Sequence, residues 1–522
     1  MSHRLVRLAS KTLKTTFVGL QNSVLGVDQF RGIQFGEIHR RWTDPRLVTT
    51  YPTPTYDATR YGPIAPQPPE DVHGYYAVES SVALPFEEFK IQDEFKLLNL
   101  TITRPTTAAG NEKKLPVAVF IHGGSNATGS AANPLYDPSK LVARSIEIGE
   151  PIIVVSLQYR LGALGFLYIN GQGNWGLKDQ RVGLEWVNRF ISEFGGDTEN
   201  ISVYGLSAGA CDVYYQTLIS AMAPKDQKPL FHRVGMMSGV GNTMRLLSIE
   251  RQKKNTLEMY KHLIGPSKDE KSVDLELLEK LPVEKIVEYG LDHNGIIKVW
   301  FGTADGDLFP TDMDLIPDTA TAFPESVLVS DTKDEGLLIK EFVDTIDKDK
   351  LHSTLKSLDP VGPKIAATYG ISNDMHDGVM SFYADHLFSY PIHQFAEYLS
   401  NNTKSAVYRT CFDTLNPFNE IFGAQHGVDI LYLCGTYVGL HPNTHTKARA
   451  VSQQLQDTWI RFFNTGRAWQ DATKVCHFKQ DYTKEYLDVA GLEKTRRLGH
   501  FEVHDKVGYK GMAHALGNIF KL

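Results

Sequence analysis

The sequence GLSAG (205–209) is the stretch whose residue types and spacing are most typical of a chemical function. It follows a short β-branched segment, ISVYG (201–205), and precedes a helix-compatible stretch. A G-x-S-x-G sequence between a strand and a helix holds its serine on a sharp turn with an exposed Oγ, and the glycines allow close packing. The N-terminus of the following helix also favours negative charge on a reacting oxygen. The pattern predicts Ser207 as a nucleophile, with a purely structural glycine-rich turn as the alternative.

A second glycine-rich segment, HGGS (122–125), ends the apolar stretch LPVAVFI (115–121). It has the H-G-G-x form of a loop whose backbone N–H groups stabilise the oxyanion formed by a serine nucleophile. Glycines suit this role because they let backbone amides come close to a substrate oxygen. A tight strand-to-helix turn is the structural alternative, but the serine turn farther along the chain favours the functional interpretation.

A serine nucleophile also needs an acid and a base, which are expected in that order along the chain. A short apolar strand, SVLVS (326–330), is followed by acidic residues that include Asp331, Asp334 and Glu335, and local features do not choose among them. Among eighteen histidines, His426 lies in a glycine-flanked loop, and His514 has similar surroundings. The residues alone therefore do not decide which acid and which histidine act with the serine.

The segments around these residues predict an α/β fold with a large, mostly parallel central sheet flanked by helices. LPVAVFI (115–121) and PIIVVSLQY (151–159) are almost continuously apolar, as in strands buried on both faces. Residues 177–191 and 448–466 have apolar side chains at helical spacing. Residues 240–320 and 345–420 are mixed and helix-rich, and we interpret them as insertions that form a cap over the end of the sheet.

The chain is interpreted as one domain over residues 1–522, with no linker-like boundary inside it. Residues 1–15 form a basic segment for which two interpretations stay open: a disordered terminus that leads into the first strand, or a weak mitochondrial transit peptide. The former is favoured, because a basic terminus without an apolar core is common and carries little information.

Composition excludes several classes of function. The net charge of −7 argues against nucleic acid as the main partner, because phosphate binding needs a basic surface. No apolar stretch is long enough for a transmembrane helix. The four cysteines are far apart, which is typical of a reducing compartment, so we expect a cytoplasmic protein, with the mitochondrion as the alternative.

The chain resembles the type-B carboxylesterase/cholinesterase family of α/β-hydrolases. The resemblance rests mainly on an ordered series of motifs, NWGLKDQ (174–180), LEWV (184–187), FGGD (194–197) and GLSAG (205–209). It extends over about residues 16–490. The resemblance implies the α/β-hydrolase fold and hydrolysis of a carboxylic ester through an acyl-enzyme, without any metal or organic cofactor.

The resemblance also assigns the remaining site residues. The family's acid lies in a D-E-G segment, here residues 334–336, which implies that Glu335 is the acid. Its histidine lies in a loop that matches residues 426–429, which implies that His426 is the base. The oxyanion donors of the family correspond to the backbone N–H groups of three residues: Gly124, Ser125 and Ala208.

Three departures from the family pattern bear on the substrate. Ser125 stands where a third glycine is usual, and Asn126 stands where an aromatic residue is usual, which we expect to make that wall of the site more polar. Leu206 stands where a glutamate often precedes the nucleophile. The loss of that negative charge argues against a cationic substrate, so a small or lipophilic, uncharged ester is expected.

Two other functions compete with ester hydrolysis. Residues 171–176 form a G-x-G-x-x-G sequence, which also occurs in dinucleotide-dependent oxidoreductases. That function requires an acidic residue at the end of the next strand, but this strand ends at Ser207. A non-catalytic binding protein of the same fold is the second alternative, and the presence of Ser207, Glu335 and His426 argues against it.

Overall fold

The structure is a computed structural model that describes residues 4–69, 91–108, 113–224, 226–266, 273–291, 297–311, 324–437 and 446–522. Parts of the cap predicted from the sequence, at 267–272, 292–296 and 312–320, lie outside these ranges. Within the described ranges, the helices are all too short or too polar to cross a membrane.

The described residues form one large sheet and one small two-stranded sheet. The strands are β1 (Arg4–Ser10), β2 (Thr15–Asn22), β3 (Val27–Gln34), β4 (Gly36–Glu37), β5 (Arg46–Leu47), β6 (Thr55–Asp57), β7 (Asn99–Pro105), β8 (Leu115–Ile121), β9 (Ile153–Leu157), β10 (Gly196–Leu206), β11 (Arg233–Met237), β12 (Ser326–Thr332), β13 (Ala406–Phe412), β14 (Val475–Phe478) and β15 (Lys484–Leu487). The large sheet has the order β1-β2-β3-β7-β9-β8-β10-β11-β12-β13-β14-β15, and β6 pairs with β2. From β9 to β14 all neighbouring strands are parallel, so their carboxyl ends share one edge.

The helices cover both faces of this sheet and form a separate cluster beyond one end. They are α1 (Ser139–Glu147), α2 (Gly162–Phe166), α3 (Trp175–Phe190), α4 (Ala208–Met222), α5 (Ile249–Leu263), α6 (Leu275–Glu279), α7 (Val283–Glu288), α8 (Lys340–Val343), α9 (Lys348–Ser357), α10 (Val361–Thr368), α11 (Met375–Ala384), α12 (Tyr390–Asn402), α13 (Val428–Cys434), α14 (Thr446–Thr465), α15 (Val489–Thr495) and α16 (Leu498–Ile519). The predicted α/β-hydrolase fold, with a mostly parallel sheet between helices, is confirmed.

The strands that were predicted from apolar sequence form the middle of the sheet. All residues of β9 and β12 are buried, and so are nearly all residues of β8. Such strands are buried on both faces because helices cover each side of a parallel sheet. The predicted helices at 177–191 and 448–466 correspond to α3 and α14, with ends shifted by one or two residues.

Residues 345–420 are not a continuous insertion, contrary to the prediction. Helices α9 to α12 occupy the first part, but β13 follows them and pairs in parallel with β12 inside the large sheet. The apolar side chains of α9 to α11 pack with those of α16 in a core of their own. The mixed composition of this stretch concealed a sheet strand, because β13 contains an arginine and a threonine among its buried residues.

The N-terminal segment also differs from the prediction of a disordered terminus. Residues Arg4–Ser10 form β1, which pairs antiparallel with β2 at one edge of the sheet. Only the last residue of this strand is fully buried, but Val6 and Leu8 are partly buried against the core, so backbone pairing and these two side chains hold it. Arg4 and Arg7 are exposed, as expected of a charged edge strand.

The four cysteines are buried and free. Burial raises the pKa of each of the thiols, so they are inert small apolar side chains in the core. The compartment of the protein stays a prediction from the sequence.

Candidate active site

Ser207 lies on a sharp turn between β10 and α4. Its backbone has φ 57° and ψ −125°, and its N–H donates to the carbonyl of Met237 on the neighbouring strand (2.8 Å). A Cβ on Gly205 would lie 2.4 Å from the carbonyl oxygen of Gly209, and a Cβ on Gly209 would lie 2.2 Å from that of Ile121. Both glycines are therefore required by the close approach of strand and helix, as predicted.

The loop HGGS (122–125) lies directly against this turn. A Cβ on Gly123 would come within 3.0 Å of the Cβ of Ser207. Gly124 and Ser125 have φ values of 109° and 58°, so the chain is left-handed there. Among the residues that the structure describes, none accepts a hydrogen bond from the N–H groups of these two residues. Ala208 is the first residue of α4, where an N–H has no partner within the helix. Among the described residues, the three predicted oxyanion donors thus have no acceptor; two lie in the loop that packs against the serine turn, and the third directly follows Ser207.

The Gly124→Ala variant is expected to lower kcat by about 10²–10³-fold, the cost of losing one oxyanion donor. The reason is steric: the new Cβ would lie 2.3 Å from the carbonyl oxygen of Thr128, so the loop must move. Gly149→Ala is the matched control, because Gly149 also has a positive φ of 73° but no atom lies within 4 Å of the point where its Cβ would stand. Steady-state kinetics and thermal unfolding of both variants would check this. Unchanged kcat in folded Gly124→Ala would contradict the role of the loop.

Glu335 and His426 are in direct contact at the carboxyl edge of the sheet. The Oε2 atom of Glu335 forms a short hydrogen bond with Nδ1 of His426, and Oε1 accepts from the N–H of Thr332 (2.9 Å). Both side chains are buried. A carboxylate bonded to Nδ1 leaves Nε2 as the ring nitrogen that can accept a proton.

The other two acids of this segment have different partners. Asp331 pairs with Arg496 (3.2 Å) and Arg409 (3.7 Å). Burial opposes its charge, but the two arginines outweigh burial and lower its pKa. Asp334 accepts from the backbone N–H of Ala424 (2.7 Å) in the loop that precedes the histidine. Only Glu335, of these three, contacts His426.

The histidine that the sequence offered as an alternative lies elsewhere. His514 is exposed on α16 and bonds with Asn518 in the next turn (3.3 Å). His426, in contrast, lies between two left-handed glycines, Gly423 and Gly427, just before α13. The ring of Phe388 packs against its imidazole with centroids 4.9 Å apart.

Phe388 belongs to a π-helical turn, Asp385–Ser389, that follows α11. Sequence reasoning missed this contact, since nothing in the local sequence predicts a π-helical turn. It also assigned no role to Asp429, which lies near the Glu335–His426 pair. Burial and the negative charge of Glu335 raise the pKa of Asp429 to about 7, and the hydroxyl of Ser330 donates to it (3.4 Å).

Asn126 does not make the wall of the site more polar, contrary to the expectation from the sequence. Its side chain is buried, and its Nδ2 lies 3.3 Å from Oδ1 of Asp212 and 3.4 Å from the carbonyl oxygen of Trp300. The polar group is therefore directed into the protein interior. Asp212 was also missed, although a single acid in the apolar sequence of α4 was a usable signal.

The G-x-G-x-x-G sequence at 171–176 has a structural role. Asn174 immediately precedes α3, and its side chain bonds with the backbone of Thr303 in both directions (2.8 and 2.9 Å) and with Asp305 (2.7 Å). A Cβ on Gly176 would lie 2.6 Å from the ring of Phe166. The asparagine and the last glycine of this sequence thus serve packing between segments of the chain.

Comparisons with known proteins agree with this geometry. Residues 6–502 match the Carboxylesterase family. Lipase 3 of Yarrowia lipolytica is 31% identical over 97% of this chain and 98% of its own length. Para-nitrobenzyl esterase of Bacillus subtilis is 29% identical over 83% and 84% of the two chains. A solved structure of PNB esterase superposes with a TM-score of 0.71 at 24% identity, covering 95% of this chain and 99% of the other.

The family match covers nearly the whole chain, including the serine turn, the HGGS loop, Glu335 and His426. The structural likeness independently supports the α/β-hydrolase fold, since fold is conserved at this level of identity. The chain belongs to the type-B carboxylesterase/cholinesterase family and is a carboxylic ester hydrolase.

Proposed function

We propose that this protein hydrolyses a small or lipophilic, uncharged ester through an acyl-enzyme formed on Ser207. The observation that carries the proposal is the contact of Glu335 with His426, at the same edge of the sheet as a strained serine turn flanked by free amides. Serine hydrolases need an acid that orients a base and a serine held on a strained turn, and these are the features combined here.

In the first half of the reaction, Nε2 of His426 accepts the proton of Ser207 while Oγ attacks the ester carbonyl. The negative charge that develops on the carbonyl oxygen is stabilised by the amides of Gly124, Ser125 and Ala208. Each such donor contributes roughly 3 kcal/mol to lowering the barrier. The tetrahedral intermediate collapses when His426 passes its proton to the leaving alcohol, and the acyl group remains on Oγ.

In the second half, His426 removes a proton from water, whose oxygen attacks the acyl carbon; the acyl–Oγ bond then breaks, His426 returns the proton to Oγ of Ser207, and the carboxylic acid leaves. Glu335 stays ionised, orients the imidazole through Nδ1 and stabilises the imidazolium. Its hydrogen bond from the N–H of Thr332 holds the carboxylate in place. These residues complete the cycle without a metal or organic cofactor.

The preference for an uncharged substrate rests on the residues around the nucleophile. Leu206, where relatives often carry a glutamate, is buried and adds no charge. Burial lowers the pKa of His122 to about 4, so this first residue of the loop is neutral at physiological pH. Neither Leu206 nor His122 therefore adds a charge beside the serine turn that would attract a cationic alcohol group.

Labelling with a fluorophosphonate, followed by peptide mass spectrometry, tests the proposal. We expect one adduct, on Ser207, formed by native protein and lost after heat denaturation, because only an assembled site activates the hydroxyl. A series of uncharged p-nitrophenyl esters of increasing acyl length, compared with a choline ester, then defines the substrate. Folded protein that resists the label and hydrolyses none of the esters would favour a non-catalytic binding protein.

A further inference from the structure

A buried carboxyl group lies behind the oxyanion loop. Asp212 is in the second turn of α4, and only 1% of its surface is exposed. No cation among the described residues stabilises its charge, and the groups that lower its pKa are the side-chain amides of Gln180 and Asn126. Burying a carboxylate without a cation costs free energy, which indicates that Asp212 has a role beyond packing.

The two oxygens of Asp212 bond with different parts of the protein. Oδ2 accepts from Nε2 of Gln180 (2.6 Å), whose own Oε1 accepts from Gln216 (3.3 Å) on the same helix as Asp212. Gln216 also donates to the carbonyl oxygen of Leu177 (2.8 Å). This side of the carboxylate is thus anchored by hydrogen bonds that join α3 and α4.

The other oxygen, Oδ1, accepts from Nδ2 of Asn126, the residue that follows the oxyanion donors. Asn126 has φ 54° and continues the left-handed turn of Gly124 and Ser125. Its Oδ1 lies 3.4 Å from the hydroxyl of Tyr159, which donates at 2.7 Å to the carbonyl oxygen of His122 at the start of the loop. Tyr159 therefore holds the start of the loop, and Asp212 holds Asn126 at its end.

The carbonyl groups of Ser125 and Asn126 bond with other segments of the chain. The carbonyl oxygen of Ser125 accepts from the N–H of Trp300 (3.0 Å), and that of Asn126 accepts from the N–H of Gly162 (2.7 Å). In this left-handed conformation the amides of Gly124 and Ser125 stay without an acceptor among the described residues. Left-handed backbone is unfavourable for serine, so it persists only where neighbouring contacts hold it.

We propose that Asp212 is a positioning residue for ester hydrolysis, which acts through Asn126 to hold the amides of Gly124 and Ser125 in place for the oxyanion. The inference rests on the proposed function, since it assigns a task to a loop that matters only if Ser207 is the nucleophile. Asp212 itself does not touch the substrate or Ser207.

The ionised form of Asp212 is the form that can perform this task, because both its oxygens face N–H donors. Protonation would place a hydrogen against one of them and break that bond. Burial raises the pKa of Asp212 from 3.8 to about 7. The titratable groups that interact with it, Tyr159, Cys211 and Tyr215, are acids whose pKa values burial also raises, so they stay neutral.

Asp212→Asn and Asn126→Gly test the two ends of the bond. In Asp212→Asn, we expect the side-chain oxygen of the new asparagine to keep the shorter hydrogen bond from Gln180. Its NH₂ group then faces Nδ2 of Asn126, and because both groups are donors, that hydrogen bond is lost. Asn126→Gly removes the side chain without strain, because glycine adopts φ 54° freely. We expect each to lower kcat by about tenfold to 10²-fold with KM nearly unchanged, as misplacement of a group by ~1 Å does. Thr217→Val on α4, whose hydroxyl donates to the carbonyl oxygen of Val213 (2.8 Å), is the control.

The double variant tests whether Asp212 acts through Asn126. If it does, Asn126→Gly with Asp212→Asn loses no more kcat than Asn126→Gly alone, whereas independent roles give multiplied losses. Multiplied losses, or wild-type kcat in folded Asp212→Asn, would overturn the proposal. If Asp212→Asn does not fold, wild-type kcat in folded Asn126→Gly overturns it equally.

The pH dependence separates positioning from stability. Because the folded pKa of Asp212 lies above its ordinary value, ionisation between about pH 4 and about pH 7 lowers the stability of the fold. The Tm of the wild type, compared with that of Asp212→Asn at the same pH, should therefore fall as the pH rises to about 8. The kcat of the wild type, compared with that of Asp212→Asn in the same way, should rise. Parallel changes in both quantities would indicate a structural role only. Retained activity in Ser207→Ala would instead refute the proposed function itself.

Discussion

Replacing Ser207 with alanine is expected to lower kcat for ester hydrolysis by about 10⁴-fold or more. The substitution removes only Oγ, and alanine has the same Cβ, so it meets the same backbone strain at φ 57° as serine does. The bonds that hold the turn, such as the one from its N–H to Met237, are made by the backbone and remain. The remaining activity reflects the oxyanion loop and substrate binding alone.

Ser220→Ala is the matched control for this experiment. Ser220 lies near the other end of α4, where its hydroxyl accepts a hydrogen bond from Arg181 (2.8 Å). We expect kinetics within about twofold of the wild type, since a partly exposed pair contributes little to stability. Circular dichroism and Tm should match for all three proteins. Substantial turnover by well-folded Ser207→Ala would mean that another group carries the reaction.

Glu335→Gln is expected to have the second largest effect, a loss of kcat of about 10⁴-fold. Oε1 accepts from the N–H of Thr332 and Oε2 faces Nδ1 of His426, so both positions need an acceptor. Glutamine can supply only one. If its NH₂ group faces His426, the imidazole takes the tautomer with the proton on Nε2 and cannot accept the proton of Ser207.

Asp334→Asn is the comparison for the acid. Asp334 is adjacent in sequence, but it bonds with the backbone of Ala424 rather than with His426. We expect it to lower the free energy of unfolding by ~1–3 kcal/mol and to retain most of kcat. Stopped-flow hydrolysis and urea denaturation would measure the two quantities. A greater loss of kcat in Asp334→Asn than in Glu335→Gln would exclude Glu335 as the orienting acid.

Much of the site was predictable because its chemistry depends on local sequence. A serine between two glycines, after a strand and before a helix, can form only a tight turn, and the structure places Ser207 on that turn. The HGGS loop was predictable for the same reason, since its position after β8 brings it to the edge where β10 ends. Apolar runs likewise predicted the buried parallel strands, because nearly every residue of a strand buried on both faces is apolar.

Two strands of the sheet were harder to predict from the composition of their sequences. The buried strand β13 contains polar residues whose hydrogen-bond and charge partners come from distant segments, so its sequence did not look like a core strand. The N-terminal strand β1 has polar residues at every third position rather than every second, and it pairs with β2 at the edge of the sheet. A strand that is stabilised by backbone bonds to another strand leaves a weak signal in its own sequence.

The sequence by itself determined the sharp turn at Ser207, the glycine-rich HGGS loop and the apolar parallel strands that carry them. Only the tertiary structure decided which acid meets which partner: Asp331 pairs with arginines, Asp334 bonds with a loop, and Glu335 contacts His426. It also brought Asp212 beneath the oxyanion loop. The role of a carboxylate depends on the groups within a few ångströms of it, and these come from segments far apart in the chain.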